Sequence, residues 1–272
     1  MTCSGMSSVS HLDANRRQDP APWPPASPAR RRQADQLPGR RADHHCVANG
    51  RIESRPPGKL PAPPSNGQVC TLFAVDIAGF TAPERDDDIR LYLHEELYKL
   101  LERAFDGSGI PWNRCFREDR GDGVLTVIPP GTACKKIIDP LPERLRGLIR
   151  RHNHVFRDAA AIQLRTAAHI GPVDHDGHGF VGSDINLLFR MLNARPLKRA
   201  LTSSSAELAL IISDYLYHNI VCRYPSLISP DAFQQVRFQD QHISTQAWAY
   251  LPASEPQRAK PQPTPAASSP DP

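Results

Sequence analysis

No apolar run in this 272-residue chain approaches the roughly 18 residues needed to span a bilayer. The first residues contain no continuous apolar segment of the secretory kind, so a cytoplasmic protein is expected. The six cysteines (Cys3, Cys46, Cys70, Cys115, Cys134 and Cys222) form no C-x-x-C pair and are irregularly spaced. That argues against a zinc ribbon and against a disulfide framework. Cys70 and Cys115 sit in apolar, strand-like runs and read as small core residues. The hydroxyl cluster Thr202–Ser205 lacks a G-x-S-x-G context, so nothing marks it as nucleophilic. Internal repeats are absent as well.

Proline is plentiful but unevenly placed. Of the 28 prolines, 18 fall before Gly67 or after Leu251, in flanks poor in large apolar residues. Such segments bury too little to offset the entropy of ordering them. Residues 1–66 are expected to be a disordered Arg/Pro-rich arm and 252–272 a disordered tail. Between them, 67–251 is large enough for one hydrophobic core. Ten Arg/Lys against five Asp/Glu give the arm about +5, the tail is neutral, and the core is left near −1. The basic arm reads as a solvated tail, as a contact for nucleic acid or anionic lipid, or as a stretch partly untranslated because translation starts later.

Within the core, Val69–Val75 is a β-forming apolar run, read as a buried strand. Ile89, Leu93, Leu97, Leu100, Leu101 and Ala104 recur at helical spacing, predicting a helix over 84–105. Residues 113–118, a turn at Arg120–Gly123 and 124–128 predict a hairpin. Leu141 to Phe156 marks a second helix, 163–170 a strand, Phe180–Val181 a short strand and 184–197 a third helix. A strand at 207–212, a helix at 213–222 and strands near 235–239 and 246–250 complete the pattern. The order β-α-β-β-α-β predicts an α/β (α+β) fold with a ferredoxin-like core, its helices covering one face of a mainly antiparallel sheet.

Asp76 and Asp122 each stand at the edge of an apolar strand, in a turn with glycine nearby. In the predicted topology the first strand and the hairpin are neighbours, so the two carboxylates can converge. One or two carboxylates together with substrate phosphates is the usual way a protein holds Mg²⁺. The alternative is that each merely caps a turn. Mid-strand His169 reads as a hydrogen-bonded structural residue. His175 and His178, in the polar turn 174–179, lack a defined ligand spacing.

Four blocks carry a family resemblance. They are Asp76-Ile77-Ala78-Gly79-Phe80-Thr81, then Gly121-Asp122-Gly123, then Arg165 to Gly171 with the pattern R-x-x-x-H-x-G, then Gly182, Ile185, Asn186, Arg190 and Met191. In this order and spacing the chain resembles the catalytic domain of class III nucleotidyl cyclases. The resemblance implies that Asp76, Asp122 and the carbonyl of Ile77 hold two Mg²⁺ or Mn²⁺ ions. It implies that Asn186 orients the ribose and that Arg190 donates to the α-phosphate. Phe80 and Thr81 would face the substrate, a nucleoside triphosphate cyclised to a 3′,5′-cyclic nucleotide with release of pyrophosphate. A homodimer is implied, with carboxylates from one subunit and the Asn/Arg pair from the other. Asn186 and Arg190 are four residues apart, which puts them on one face of a helix.

The match departs from the family in two places. Base choice is implied for Glu118 and Gly179; a carboxylate at 118 suits guanine, but the family has Asp or Cys where this chain has Gly179. The family's lysine for the terminal phosphates is missing between Arg237 and Trp248, leaving Arg237, Lys198 and Arg199 as candidates. A catalytically weak or inactive cyclase-fold module therefore stays open beside the enzyme. A diguanylate cyclase would show a G-G-D-E-F-like hairpin where this chain reads Arg120-Gly121-Asp122-Gly123.

Overall fold

The computed structural model describes residues 62–132, 134–156, 158–224, 228–240 and 243–252. The expected arm and tail, apart from 62–66 and Pro252, lie outside them. The Gln68–Ile77 run forms the central strand β1, buried from Cys70 to its end. It pairs antiparallel with β3 (Gly123–Ile128) on one side and β4 (Leu164–His175) on the other. With β2 (Phe116–Asp119), β5 (Phe180–Val181), β6 (Leu208–Ser213), β7 (Gln234–Asp240) and β8 (Ile243–Tyr250), the sheet has eight strands. Its order is β2-β3-β1-β4-β6-β8-β7, with β5 paired to β4. The β4–β6 pair is parallel and the others antiparallel. The β2-β3-β1-β4 portion is the predicted ferredoxin-like core.

Helices cover both faces of this sheet, not one. On one side α1 (Asp87–Gly107) and α2 (Leu141–Val155) bury Leu93, Leu97, Leu101, Leu145 and Ile149 against Phe73, Val75 and Ile77. On the other, α3 (Ser183–Leu192) and α4 (Arg195–Thr202) bury Leu188, Met191, Leu197 and Leu201 against Cys70, Leu72 and Ala74. The reason is visible in Val69–Val75, where apolar residues follow one another without polar alternation, the pattern of a strand buried on both faces. Each such fully buried leucine contributes on the order of 1.5–3 kcal/mol.

Local chemistry sets the boundaries. Asp86 caps α1 by accepting from Ile89 N–H at 2.9 Å, so the helix starts later than the leucine spacing alone suggests. The expected third helix is two, broken after Leu192, and Pro196 sits in the first turn of α4, where its missing N–H costs nothing. The expected helix at 213–222 is a short turn, Asp214–Leu216, that widens into a π-helical turn over Tyr217–Val221. Among the described residues no helix is long and apolar enough to cross a membrane.

Candidate active site

Asp76 comes one residue before the end of β1, in register with Gly123 of β3 and Arg165 of β4. Strand alternation points its side chain to the α3/α4 side, where Leu72 and Ala74 also point. Only 7% of Asp76 is exposed, and Arg165 Nε donates to its Oδ1 at 2.7 Å. Burial pushes the carboxyl up to about 6, against the pull of Arg165; the Asp122 charge raises it further and Lys198 lowers it.

The hairpin turn delivers Asp122 to the same place. Gly121 takes φ +80°, a conformation that favours glycine, and its N–H donates to Asp119 Oδ1 at 2.7 Å. Asp119 is in turn gripped from α1 by His94 at 2.6 Å and Tyr98 at 3.0 Å. The Asp122 carbonyl accepts from Ile77 N–H at 2.9 Å. Gly123 is required by space: a Cβ there would stand 2.1 Å from the Val75 carbonyl oxygen. The G-D-G triplet is therefore a turn former, a carboxylate and a point of close strand contact.

Asp76 and Asp122 open into one cleft of about 470 Å³, shared with Arg120, Arg165, Asn193 and Lys198 and walled by Phe189 and Leu192. Two carboxylates face Arg165 and Lys198, while the third cation of the lining, Arg120, is paired with Glu118 beside it, so the cleft is densely charged with both signs. Lys198, on α4, is the phosphate candidate that reaches it; Arg199 and Arg237 are exposed elsewhere. The helix break that brings Lys198 inward is not apparent from the spacing of apolar residues, although Pro196 marks it.

Asn186 and Arg190 lie exposed on α3, opposite the face that buries Ile185 and Leu188, and neither lines the cleft. Glu118 and Gly179 are brought together across β2 and β5. Glu118 Oε1 accepts from Phe180 N–H, Oε2 accepts from Arg120 Nη2 at 2.5 Å, and a Cβ on Gly179 would stand 2.7 Å from Oε1. Phe80 is half-buried against the α1/α2 core and Thr81 is exposed; both lie outside the cleft. Ile77 is buried beside Asp76.

Two supporting residues escaped the sequence reading. Arg85, 8% exposed, donates to the carbonyls of Ala78 at 3.3 Å and Ala161 at 2.8 Å, bracing the loop after β1. Asp184 lies 2.8 Å from His169 Nε2 and occupies the room left by Gly171, where a Cβ would stand 2.4 Å from its carboxyl carbon. His169 is thus a hydrogen-bonded structural residue. The turn at 174–179 is held by Asp176 Oδ1, which accepts from His178 N–H and Gly179 N–H at 2.8 and 2.9 Å. Among the described residues no group of three or more His, Cys, Asp or Glu side chains is arranged around a metal position.

Fold and cleft together define a two-faced α/β sheet protein with paired carboxylates facing Arg165 and Lys198 in one cleft. Solved structures similar to it are nucleotidyl cyclase domains. The guanylate cyclase domain of RhGC from Catenaria anguillulae, solved with GTP, is 19% identical, with 68% of this chain and 97% of that one covered and a TM-score of 0.44. An adenylate/guanylate cyclase/hydrolase from Silicibacter pomeroyi is 18% identical, with 68% and 97% covered and a TM-score of 0.48. A dimeric guanylyl cyclase domain of the RhoGC fusion protein from Blastocladiella emersonii is 18% identical, with 68% and 96% covered and a TM-score of 0.42. No family model and no curated protein matches the chain.

Proposed function

We propose that this chain is a class III-type nucleotidyl cyclase, acting in the cytoplasm on a nucleoside triphosphate in a site completed by a second copy of itself. The observation that carries the reading is the convergence of Asp76 and Asp122 on one cleft with Arg165 and Lys198, while Asn186 and Arg190 stand exposed outside it. A site that uses both sets draws them from two chains, and a twofold axis then makes two such sites.

The donor set fits magnesium or manganese. Arg165 takes Asp76 Oδ1, leaving Oδ2 and the Asp122 carboxylate for a hard cation. That is too few ligands for a resident ion and the usual number for one that arrives with phosphates. Held by Asp76, Asp122 and the Ile77 carbonyl, two such ions would neutralise the triphosphate and acidify its 3′-hydroxyl. In the reaction the 3′-oxygen bonds to the α-phosphorus, the bond to the β-phosphate oxygen breaks, and the hydroxyl proton leaves to solvent. Arg165 and Lys198 oppose the charge of the phosphate chain. Asn186 of the other subunit hydrogen-bonds the ribose. Its Arg190 donates to the α-phosphate as negative charge builds there, and a planar guanidinium suits those oxygens.

A second reading, a cyclase-fold module that binds nucleotide without turnover, is favoured by Gly179 and by the absence of a lysine from Arg237 to Trp248. Incubation with Mg²⁺ or Mn²⁺ and each of the four ribonucleoside triphosphates, followed by mass spectrometry, separates the two. A cyclic nucleotide from the wild type, and none from Asp76→Ala or Asp122→Ala, is expected. Nucleotide binding without any product would sink the enzyme reading and leave the module.

A further inference from the structure

From the contacts of Glu118 we infer that this carboxylate is a clamp between β2 and β5 rather than a reader of the base, so the site does not discriminate guanine from adenine. The inference rests on the nucleotide-binding reading above. To read guanine, a carboxylate must turn both oxygens to the N1–H and the 2-amino group. Here each oxygen already has a donor from the same chain, and the two donors together fix the direction in which the carboxylate points. Oε1 accepts from Phe180 N–H, which ties it to the start of β5, and Oε2 accepts from Arg120 Nη2 at 2.5 Å. The carboxylate also fills the space that a side chain at position 179 would need, since a Cβ there would stand 2.7 Å from Oε1. Glycine at 179 is therefore what lets Glu118 reach β5, and the same glycine presents no side chain of its own to a base.

Arg120 strengthens the case from the other side. Its guanidinium is itself held, 5.0 Å from the centre of the Phe189 ring, and it lines the cleft that holds Asp76 and Asp122. It offsets the charge of Glu118 and already donates to one of its oxygens. A base that displaced it would break a charge-assisted bond in order to form another, so the exchange yields little discrimination.

The experiment compares 3′-deoxy-ATP with 3′-deoxy-GTP, which lack the attacking hydroxyl, as competitors of a fluorescent triphosphate in Mn²⁺. The wild type is expected to bind the two within about threefold. Glu118→Gln should leave that ratio in place, and Glu118→Ala should lower the melting temperature by several degrees while also leaving it in place. Arg120→Ala, which uncovers Oε2, should shift the ratio at least fivefold toward guanine, whatever it does to affinity overall. A wild-type preference of tenfold or more that Glu118→Gln erases would overturn the clamp and make Glu118 the base reader. A ratio unmoved by Arg120→Ala would also overturn it. If neither analogue bound the wild type, the nucleotide-binding reading itself would fall.

Discussion

Arg165 and Asp76 form an ion pair inside the sheet, Nε to Oδ1 at 2.7 Å, with side chains only 14% and 10% exposed. Across a β1–β4 register pair, the guanidinium offsets part of the cost of burying the carboxylate, and the remainder appears as a carboxyl pushed up to about 6. In the unfolded chain the same group ionises near 3.8. Because the folded value is the higher one, the folded state holds the proton more tightly. The associated stability is present below about pH 4 and is lost as pH rises through about 6.

Asp76→Asn should therefore be more stable than the wild type at pH 8. The asparagine oxygen still accepts from Arg165 and the carboxylate charge is no longer buried, which outweighs the loss of the counter-charge to the guanidinium. The advantage is expected to be roughly 1–3 kcal/mol, the order of a two-unit difference in carboxyl pKa. It should shrink as pH falls from about 6.5 toward 4. Urea titrations at several pH values check this; a variant less stable than the wild type at pH 8 contradicts the assignment.

Gly123→Ala should damage the fold rather than only the chemistry. The added Cβ would meet the Val75 carbonyl oxygen at 2.1 Å, and both atoms belong to backbone paired between β1 and β3. Neither strand can yield without disturbing the pairing that sets Asp76 against Asp122. A loss of about 3 kcal/mol is expected, at the upper end for overpacking. Gly121→Ala, where a Cβ has open space but φ is +80°, is the comparison and should cost less. Thermal unfolding of the two variants decides the order.

Much of this architecture was legible because local signals and topology agreed. The leucines of α1, the Arg120–Gly123 turn and the Phe180–Val181 strand lie where periodicity and glycine put them. The meeting of Asp76 with Asp122 followed from strand order alone. What was not legible depends on contacts remote in sequence. Coverage of both faces shows only in the unbroken apolar run of β1, a weak cue beside the helical pattern. The inward turn of Lys198 depends on α3 ending at Leu192, and the His169–Asp184 pair joins a strand to a helix 15 residues on. The capture of Glu118 by Phe180 N–H spans 62 residues and depends on an absent side chain at Gly179.

Lys198→Ala should weaken triphosphate binding by about tenfold or more and leave monophosphate binding nearly unchanged. Lys198 shares the cleft with Asp76, Asp122 and Arg165, and its charge is felt by the Asp76 carboxyl. A charge-assisted contact of this kind is worth on the order of 1.5–3 kcal/mol. Lys198→Arg should recover most of the loss. Calorimetric titration with the nucleoside mono- and triphosphate separates the cases, because a merely structural lysine would weaken both ligands alike.

Two inactive variants should rescue each other. If, as proposed, Asp76 and Asp122 act from one subunit and Asn186 and Arg190 from its partner, Asp76→Ala alone would break both sites of a homodimer, and so would Arg190→Ala. In a mixed dimer the two defects fall in the same site. The other site then keeps both carboxylates, Asn186 and Arg190. Arg190 is the better half of the experiment because its proposed donation to the α-phosphate would strengthen as charge builds in the transition state. Its loss should lower turnover more than nucleotide affinity. Random association makes half of the dimers mixed, each with one intact site of two, so recovered activity should approach roughly a quarter of the wild type by symmetry. The measurement is cyclic nucleotide formed after co-expression of the two variants under separate tags, with each variant alone as control and double-tag capture to prove that mixed dimers form. Captured mixed dimers without activity would mean that all four residues serve one chain's site, and the exposed position of Asn186 and Arg190 would then need another explanation.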